Sequence, residues 1–367
     1  MQARPSVAAQ YNHDLIHLAV DGRLLVEQPT SAAARHLLEW LGGLSQQEID
    51  VLLVHPEGVL PELPAGVRSQ QAGSVRRGRE RLHYDQIALP RAAAKAGAQT
   101  LLIFGEHVPL RAQIPIAAVP PLVPQPPTRE VFEMLIRAAG RAGLRGASSV
   151  LLAADLSAEL HSPRLYPPFV SPPFSRPAVE PGGTERLRVL CYDTDPQDIR
   201  RALAAWTWVD GSLGDTYPLQ FLNWEPQIDD LIHAMAAKYD VADSVAARPA
   251  THDLAQLYRE AAVFLSVRPQ AWGQPFRWAL ASGVPVAAFD SPAAGSILGD
   301  AGFLVADGDT RALGAACLSL LVQEELAESL RLKGRRRAAA YRDRPPVELI
   351  KEVAGQTPGA GPRIAVS

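Results

Sequence analysis

Strands and helices alternate twice along this chain, and the alternation restarts after a proline-rich break. Before the break, apolar runs at residues 15–20 (LIHLAV), 49–55 (IDVLLVH), 100–104 (TLLIF), 114–119 and 149–153 predict buried strands. Helical spacing fills the gaps at 31–44, 88–96 and 129–142. In the first of these helices Ala34, Leu37, Leu38, Leu41 and Leu44 line one face, with Thr30 or Ser31 placed as N-cap. Prolines crowd residues 166–183. Beyond them come strands at 187–192, 217–224, 263–267, 284–289 and 302–305, and helices at 196–208, 227–239, 253–262, 311–322 and 325–341. Residues after 289 read as a polar turn. Such alternation predicts parallel, doubly wound α/β sheets. Two rounds of it predict two Rossmann-like domains, at 12–170 and 184–342. A last helical segment is predicted at 346–353, within a terminal segment 343–367. Folds of this kind bind ligands at the carboxyl ends of their strands.

The bulk properties agree. The chain has 367 residues, more than the ~250 at which one α/β core usually stops growing. A formal net charge of −3 gives no reason to expect nucleic acid or an anionic membrane as partner. Cys191 and Cys317 both sit in apolar segments and read as buried small hydrophobes, which fits a reducing, cytoplasmic setting. No apolar run nears the ~20 residues that span a bilayer, and residues 1–14 lack the apolar core of a signal peptide. The nine histidines are scattered without metal-ligand spacing, so no metal is expected. Asp307 and Asp309 flank Gly308 in a turn, and His252 and Asp253 precede a helix they are suited to cap. The RLKGRRR run (331–337) reads as the solvated face of a closing helix.

Residues 263–309 carry the most specific pattern. A strand leads to a loop with Gly273 and Pro275, then a short helix, Gly283, and a second strand. With DGRLLVEQPTSAAARHLLEWL, GASSVLLAADLSAEL, LYPPFVSPPF and HDLAQLYREAAVFLSV, in that order along the chain, this stretch resembles the family 4 retaining glycosyltransferases of the GT-B fold. The resemblance covers about residues 14–342. It implies two Rossmann-like domains facing a central cleft, with an acceptor-side first domain and a nucleotide-sugar-side second domain. It also implies a hexosyl- or mannosyl-type transfer from a nucleotide sugar, used as co-substrate with no other cofactor.

The family frame E-G-F-G-x-P-x-x-E-A-x-A-x-G-x-P-V falls on residues 270–286. Gly273, Pro275, Ala279, Ala281, Gly283 and Pro285 match, but the two glutamate positions hold Gln270 and Trp278. Gln270 carries no charge to steady an oxocarbenium-like transition state, and Trp278 offers no acceptor for a ribose hydroxyl. The family's Arg and Lys after the first strand of the second domain give way to YDTDPQD, whose Asp193, Asp195 and Asp198 would repel a diphosphate. Ser31-Ala32-Ala33-Ala34 replaces a glycine-rich loop, Val119-Pro120-Pro121 a His-Asp pair, and Gly295-Ser296 a Pro-Glu before the donor-facing helix.

Candidate site residues are therefore Gln270 as the catalytic position, with Arg268, Trp272, Gly273, Trp278 and Ser296 as substrate contacts. Phe276, Ala279, Leu280 and Gly283 form the buried stripe of their helix, which predicts a cleft-facing Trp278. Trp272 and Trp278 are suited either to stacking on a sugar or to packing between domains. Two readings follow. One is a glycosyltransferase acting on a nucleotide sugar and a glycan or other acceptor. The other is an inactive pseudoenzyme that partners another glycosyltransferase or binds glycan.

Overall fold

A computed structural model describes residues 15–29, 31–45, 49–120, 131–152, 163–165, 187–192, 195–223, 227–249, 254–268, 273–340, 350–351 and 354–355. The first domain is built on strands β1 (Ile16–Asp21), β2 (Ile49–His55), β3 (Val67–Gln71), β4 (Thr100–Phe104), β5 (Ile116–Val119), β6 (Ser149–Leu152) and β7 (Pro163–Leu165). They form one sheet in the order β3-β2-β1-β4-β5-β6-β7, and every pairing is parallel. The central strands β1, β2 and β4 are apolar on both faces because helices cover both sides, as a parallel sheet requires. The edge strand β3 (VRSQQ) is polar and largely exposed, which keeps that edge from templating a further strand.

Helices of this domain are α1 (Arg23–Glu27), α2 (Ala32–Ser45), α3 (Gly78–His83), α4 (Leu89–Lys95) and α5 (Val131–Gly146). Ser31 caps α2, its Oγ accepting from Ala34 N at 3.1 Å. A π-helical turn, Tyr84–Ala88, joins α3 to α4, and Leu89 N donates to the carbonyl of Tyr84, five residues back. Pro90 has no N–H to donate to the carbonyl four residues back, so a regular α-helix cannot run through this point. The wider turn brings both Tyr84 and Asp85 to the inside.

The second domain repeats the plan with β8 (Arg188–Cys191), β9 (Leu219–Asn223), β10 (Val245–Pro249), β11 (Ala261–Ser266), β12 (Val286–Phe289) and β13 (Gly302–Val305). Their order, β10-β9-β8-β11-β12-β13, is the 3-2-1-4-5-6 order of the Rossmann sheet, again all parallel. Its helices are α6 (Pro196–Leu213), α7 (Gln227–Lys238), α8 (Leu254–Arg259), α9 (Gln274–Ala281), α10 (Pro292–Leu298), α11 (Thr310–Val322) and α12 (Glu324–Ala340). One apolar cluster runs through both domains: Val20, Trp40 and Phe104 from the first join Leu190, Phe264 and Trp278 from the second, with Ile350 buried among them.

Several sequence expectations change. The residues predicted as a polar turn after β12 form α10, started by Ser291, whose Oγ accepts from Ala294 N, and by Pro292 in the first turn. Strands β3, β7 and β10 and helix α1 carry no long apolar run and went unpredicted. The helix predicted at 253–262 is shorter, since β11 begins at Ala261. Asp309 is the N-cap of α11, accepting from Ala312 N at 2.9 Å.

The basic run of α12 is a solvated face only in part: Leu332 and Arg336 are exposed, while three of its arginines have partners in the fold. Arg331 is 9% exposed and pairs with Glu324 and Glu328. Arg337 donates to the carbonyls of Ser296 and Ile297 at the end of α10. Arg335 lies against Gly283, where a φ of 61° admits glycine and an added Cβ would sit 2.6 Å from the guanidinium. The run thus clamps the carboxyl ends of α9 and α10, where cations are favoured. His252, Asp253, Asp193 and the break at 166–183 lie outside the described residues.

Candidate functional site

In each sheet the strand order reverses at one point, between β1 and β4 in the first domain and between β8 and β11 in the second. The crevice outside such a point is where doubly wound folds hold ligands. Each crevice here contains an arginine held by an aspartate.

In the first, Asp21 closes β1 and Arg23 opens α1. Arg23 Nη1 donates to both oxygens of Asp85, at 2.8 and 3.1 Å, and its backbone N–H donates to Asp21 Oδ1 at 3.0 Å. The Tyr84 hydroxyl lies 3.1 Å from Asp21 Oδ1 and 2.9 Å from the carbonyl of Val54. His107, in the loop after β4, places Nδ1 3.8 Å from Asp85. Burial pushes the Asp85 carboxyl up to about 7 against the pull of Arg23, and burial also raises Asp21. All of Asp21, Arg23, Tyr84 and Asp85 are buried. The crevice is filled by a buried polar network.

In the second crevice, Arg268 follows β11 and pairs with Asp198 in the first turn of α6. Asp198 is buried, and burial raises its pKa against the pull of Arg268. Arg268 keeps 39% of its side chain exposed. Asp195 is the N-cap of α6, its carboxylate accepting from Gln197 N at 2.8 Å. The acidic loop therefore serves the fold: one carboxylate caps a helix and another neutralises the arginine.

Between the crevices, α2 meets α9. Gln274 Nε2 donates to Glu39 Oε2 at 3.3 Å across the two domains, and Arg35 Nε lies 3.5 Å from Glu39 Oε1. His36 and Arg277 are both buried at this seam. Burial, with Arg277 nearby, drops the His36 imidazole to about 3, so it is neutral. Burial lifts the Glu39 carboxyl to about 8 despite Arg35 and Gln274.

All eight residues of α9 are buried, so this helix has no cleft-facing side. The predicted orientation of Trp278 is overturned. Its ring is fully buried, 6.1 Å from Tyr192 at the end of β8 and 6.2 Å from Tyr258 of α8. Phe276, from the predicted stripe, packs edge-on against Phe264 at 6.1 Å. A helix enclosed by two domains is buried on every side, Gln274 and Arg277 included, whereas a stripe in the sequence presupposes one buried face.

The other candidate residues scatter. Gly273 sits at the start of α9 with a φ of 69°, a left-handed turn that glycine takes without strain. Ser296 lies inside α10, and its carbonyl accepts from Arg337; Gly295-Ser296 is within this helix, not before it. Gln270 and Trp272 fall outside the described residues. The seam residues Arg35, His36, Glu39 and Gln274 went unnoticed in the sequence, and Arg277, read there as a surface or phosphate-binding arginine, is buried. Their signal was there: Arg35 and Glu39 are an i, i+4 pair beside the apolar stripe of α2. Cys191 and Cys317 are buried as predicted, the Cys317 thiol pushed up to about 12 by burial. Among the described residues no group of His, Cys, Asp or Glu is arranged to hold a metal, and no helix is long and apolar enough to cross a membrane.

Comparison with known proteins defines the class. Residues 224–323 match the family Glycosyl transferases group 1. The solved structure of WaaG, a glycosyltransferase involved in lipopolysaccharide biosynthesis, superposes with a TM-score of 0.75 at 15% identity, covering 92% of this chain and 100% of that one. Sucrose-phosphate synthase from Thermosynechococcus elongatus gives 0.68 at 14% identity, over 92% and 96%. Anabaena HepE, solved with UDP and glucose, gives 0.64 at 14% identity, over 92% and 98%. No curated protein matches the chain in sequence. The chain has the GT-B fold of these glycosyltransferases. Its second domain carries the group 1 glycosyltransferase match, as the resemblance implied.

Proposed function

We propose that this protein is a pseudo-glycosyltransferase: a cytoplasmic GT-B protein that does not transfer sugar and works by binding a glycan or another glycosyltransferase. The observation that carries this reading is the seam of α2 and α9. This reading is supported by the Glu39–Gln274 contact and by the burial of all of α9, the helix that carries the second glutamate position of the family frame. Trp278, at the second glutamate position of the family frame, is enclosed by Tyr192 and Tyr258 and offers no acceptor. Asp198 supplies an internal carboxylate to Arg268, an arginine of the second crevice suited to a diphosphate. Domain limits at 12–170 and 184–342, with 343–367 returning across the first domain, complete this reading.

A second reading has one observation in its favour. Gly273 keeps its left-handed turn before α9, and Arg268 remains partly exposed beside it. Under that reading the protein is a retaining hexosyl- or mannosyltransferase, with Gln270, Trp272, Gly273 and Arg268 at a nucleotide-sugar donor and no metal or other cofactor. Donor turnover separates the two. Purified protein is incubated with UDP-, GDP- and ADP-sugars, with and without glycan acceptors, and release of the nucleoside diphosphate is followed. The pseudoenzyme reading expects no release above a heat-killed control. Release from any one donor that is lost on Arg268→Ala overturns it.

A further inference from the structure

Charge is unevenly spread over the first domain. Helices α3, α4 and α5 form one layer, on the face of the first sheet that α2 does not cover. Leu89 and Ala92 of α4 and Leu144 of α5 pack with Ala19, Leu101 and Ile103. Helix α2 packs instead on the alternate residues Leu18, Val20 and Leu102, together with the second domain. α3 joins the outer layer by packing on α5, with Arg81 Nη1 3.8 Å from Glu133 Oε2. Among the described residues from 72 to 145, every exposed charged side chain is a cation. Arg77 and Arg79 stand at the start of α3, Arg91 and Lys95 on α4, and Arg141 and Arg145 on α5. The acids described there are drawn into the fold. Asp85 is buried against Arg23, and Glu80, Glu106 and Glu133 are half-buried, Glu80 accepting from Ser74 and Glu133 from Arg137.

Helix α5 adds apolar groups to this layer. Gly140 and Gly143 press it onto the loop after β4, where an added Cβ would lie 1.8 Å from the Glu106 carbonyl oxygen and 2.2 Å from that of Val108. This contact fixes the rotation of the helix. Met134, Ala138, Arg141 and Arg145, spaced i, i+4, i+7 and i+11, face away from it and are all exposed. Beside Met134, Phe132 and Leu135 are 44% and 51% exposed. We propose that the α3–α5 layer is a docking face for an anionic lipid bilayer. The cations meet phosphate headgroups, and the first turn of α5 sets its apolar side chains between them. A formal net charge of −3 hides this face because it averages over the whole chain. A nucleic-acid backbone would match the cations and give Phe132, Met134 and Leu135 nothing to pack against.

The test is sedimentation of the full chain with vesicles of phosphatidylcholine alone and with vesicles in which about a third of the lipid is phosphatidylglycerol. The protein sediments with the anionic vesicles only, and raising salt from about 0.1 to about 0.5 M releases it. Arg77→Glu/Arg79→Glu and Arg141→Glu/Arg145→Glu each weaken binding about tenfold or more, and Met134→Ser/Leu135→Ser weakens it about tenfold. Lys238→Glu/Arg336→Glu makes the same change of charge on exposed residues of the second domain and binds as the native protein does. All four variants change surface positions only, and unaltered thermal unfolding checks that each is folded. No sedimentation with anionic vesicles, equal sedimentation with neutral ones, or an equal loss in the second-domain variant overturns the proposal. So does full displacement by millimolar glycerol phosphate, or binding to duplex DNA without binding to vesicles. No arm contains a nucleotide sugar, so the outcome is independent of sugar transfer.

Discussion

Arg23 and Arg268 occupy corresponding places in the two sheets. Each meets an aspartate where the strand order reverses, yet their surroundings differ. Arg23 is 6% exposed, bonds both oxygens of Asp85, and has Asp21, Tyr84 and His107 around the same crevice. Arg268 holds Asp198 with 39% of its side chain in water. The first crevice is therefore part of the core, and the second keeps its arginine partly in water but neutralised by an internal carboxylate. A shared fold fixes where a ligand would sit; the side chains that fill the place decide whether one does.

This contrast predicts unequal responses to the same substitution. Arg23→Ala leaves Asp85 and Asp21 buried without their cation, so urea titration should show a loss of about 3–5 kcal/mol. Gly283→Ala tests the clamp that fixes α9 from behind. A left-handed φ and contact with Arg335 predict a loss of about 1–2 kcal/mol, with Arg335→Ala relieving part of it in the double variant. Arg268→Ala removes a partly solvated arginine but leaves Asp198 buried without its cation, and should cost about 1–2 kcal/mol, less than Arg23→Ala. A loss at Arg268 equal to that at Arg23 would erase the distinction between the crevices.

The seam between the crevices sharpens the comparison through pH. The Glu39 carboxyl is raised in the fold from 4.5 to about 8. Its contribution is complete below about 4.5 and is lost as pH rises through about 8. His36 has the opposite sign. Lowered from 6.5 to about 3, it contributes above about 6.5 and loses that contribution as pH falls toward 3. Thermal unfolding of Glu39→Gln against the native protein should show a stability gap that widens from acid to pH 8 and then levels. A constant gap would place the carboxyl outside the seam's energetics.

Much of the fold was legible because parallel strands buried on both faces leave unmistakable apolar runs. Residues 49–55 and 100–104 were predicted with the limits that β2 and β4 show. The elements that escaped notice carry a different signal. β3 is a polar edge, and α10 begins Ser-Pro-Ala-Ala-Gly, a composition that suits a turn as well as a helix start. The absence of both family glutamates was equally plain in the sequence. What took their place was not, because Trp278 and the Arg331–Arg337 run owe their burial to partners far along the chain. Tyr192, Tyr258, Ser296 and Ile297 are brought to them only by the folded second domain.

The central claim, that the chain's own side chains fill the donor place, is tested most directly by ligand-induced thermal stabilisation. The protein is melted alone and with millimolar UDP, GDP, ADP and their sugar conjugates. The account predicts superimposable, cooperative curves across the panel. A ligand present at about 100 times its Kd would add about 2.7 kcal/mol, and the shift of several degrees that follows, seen with any one nucleotide, would contradict it.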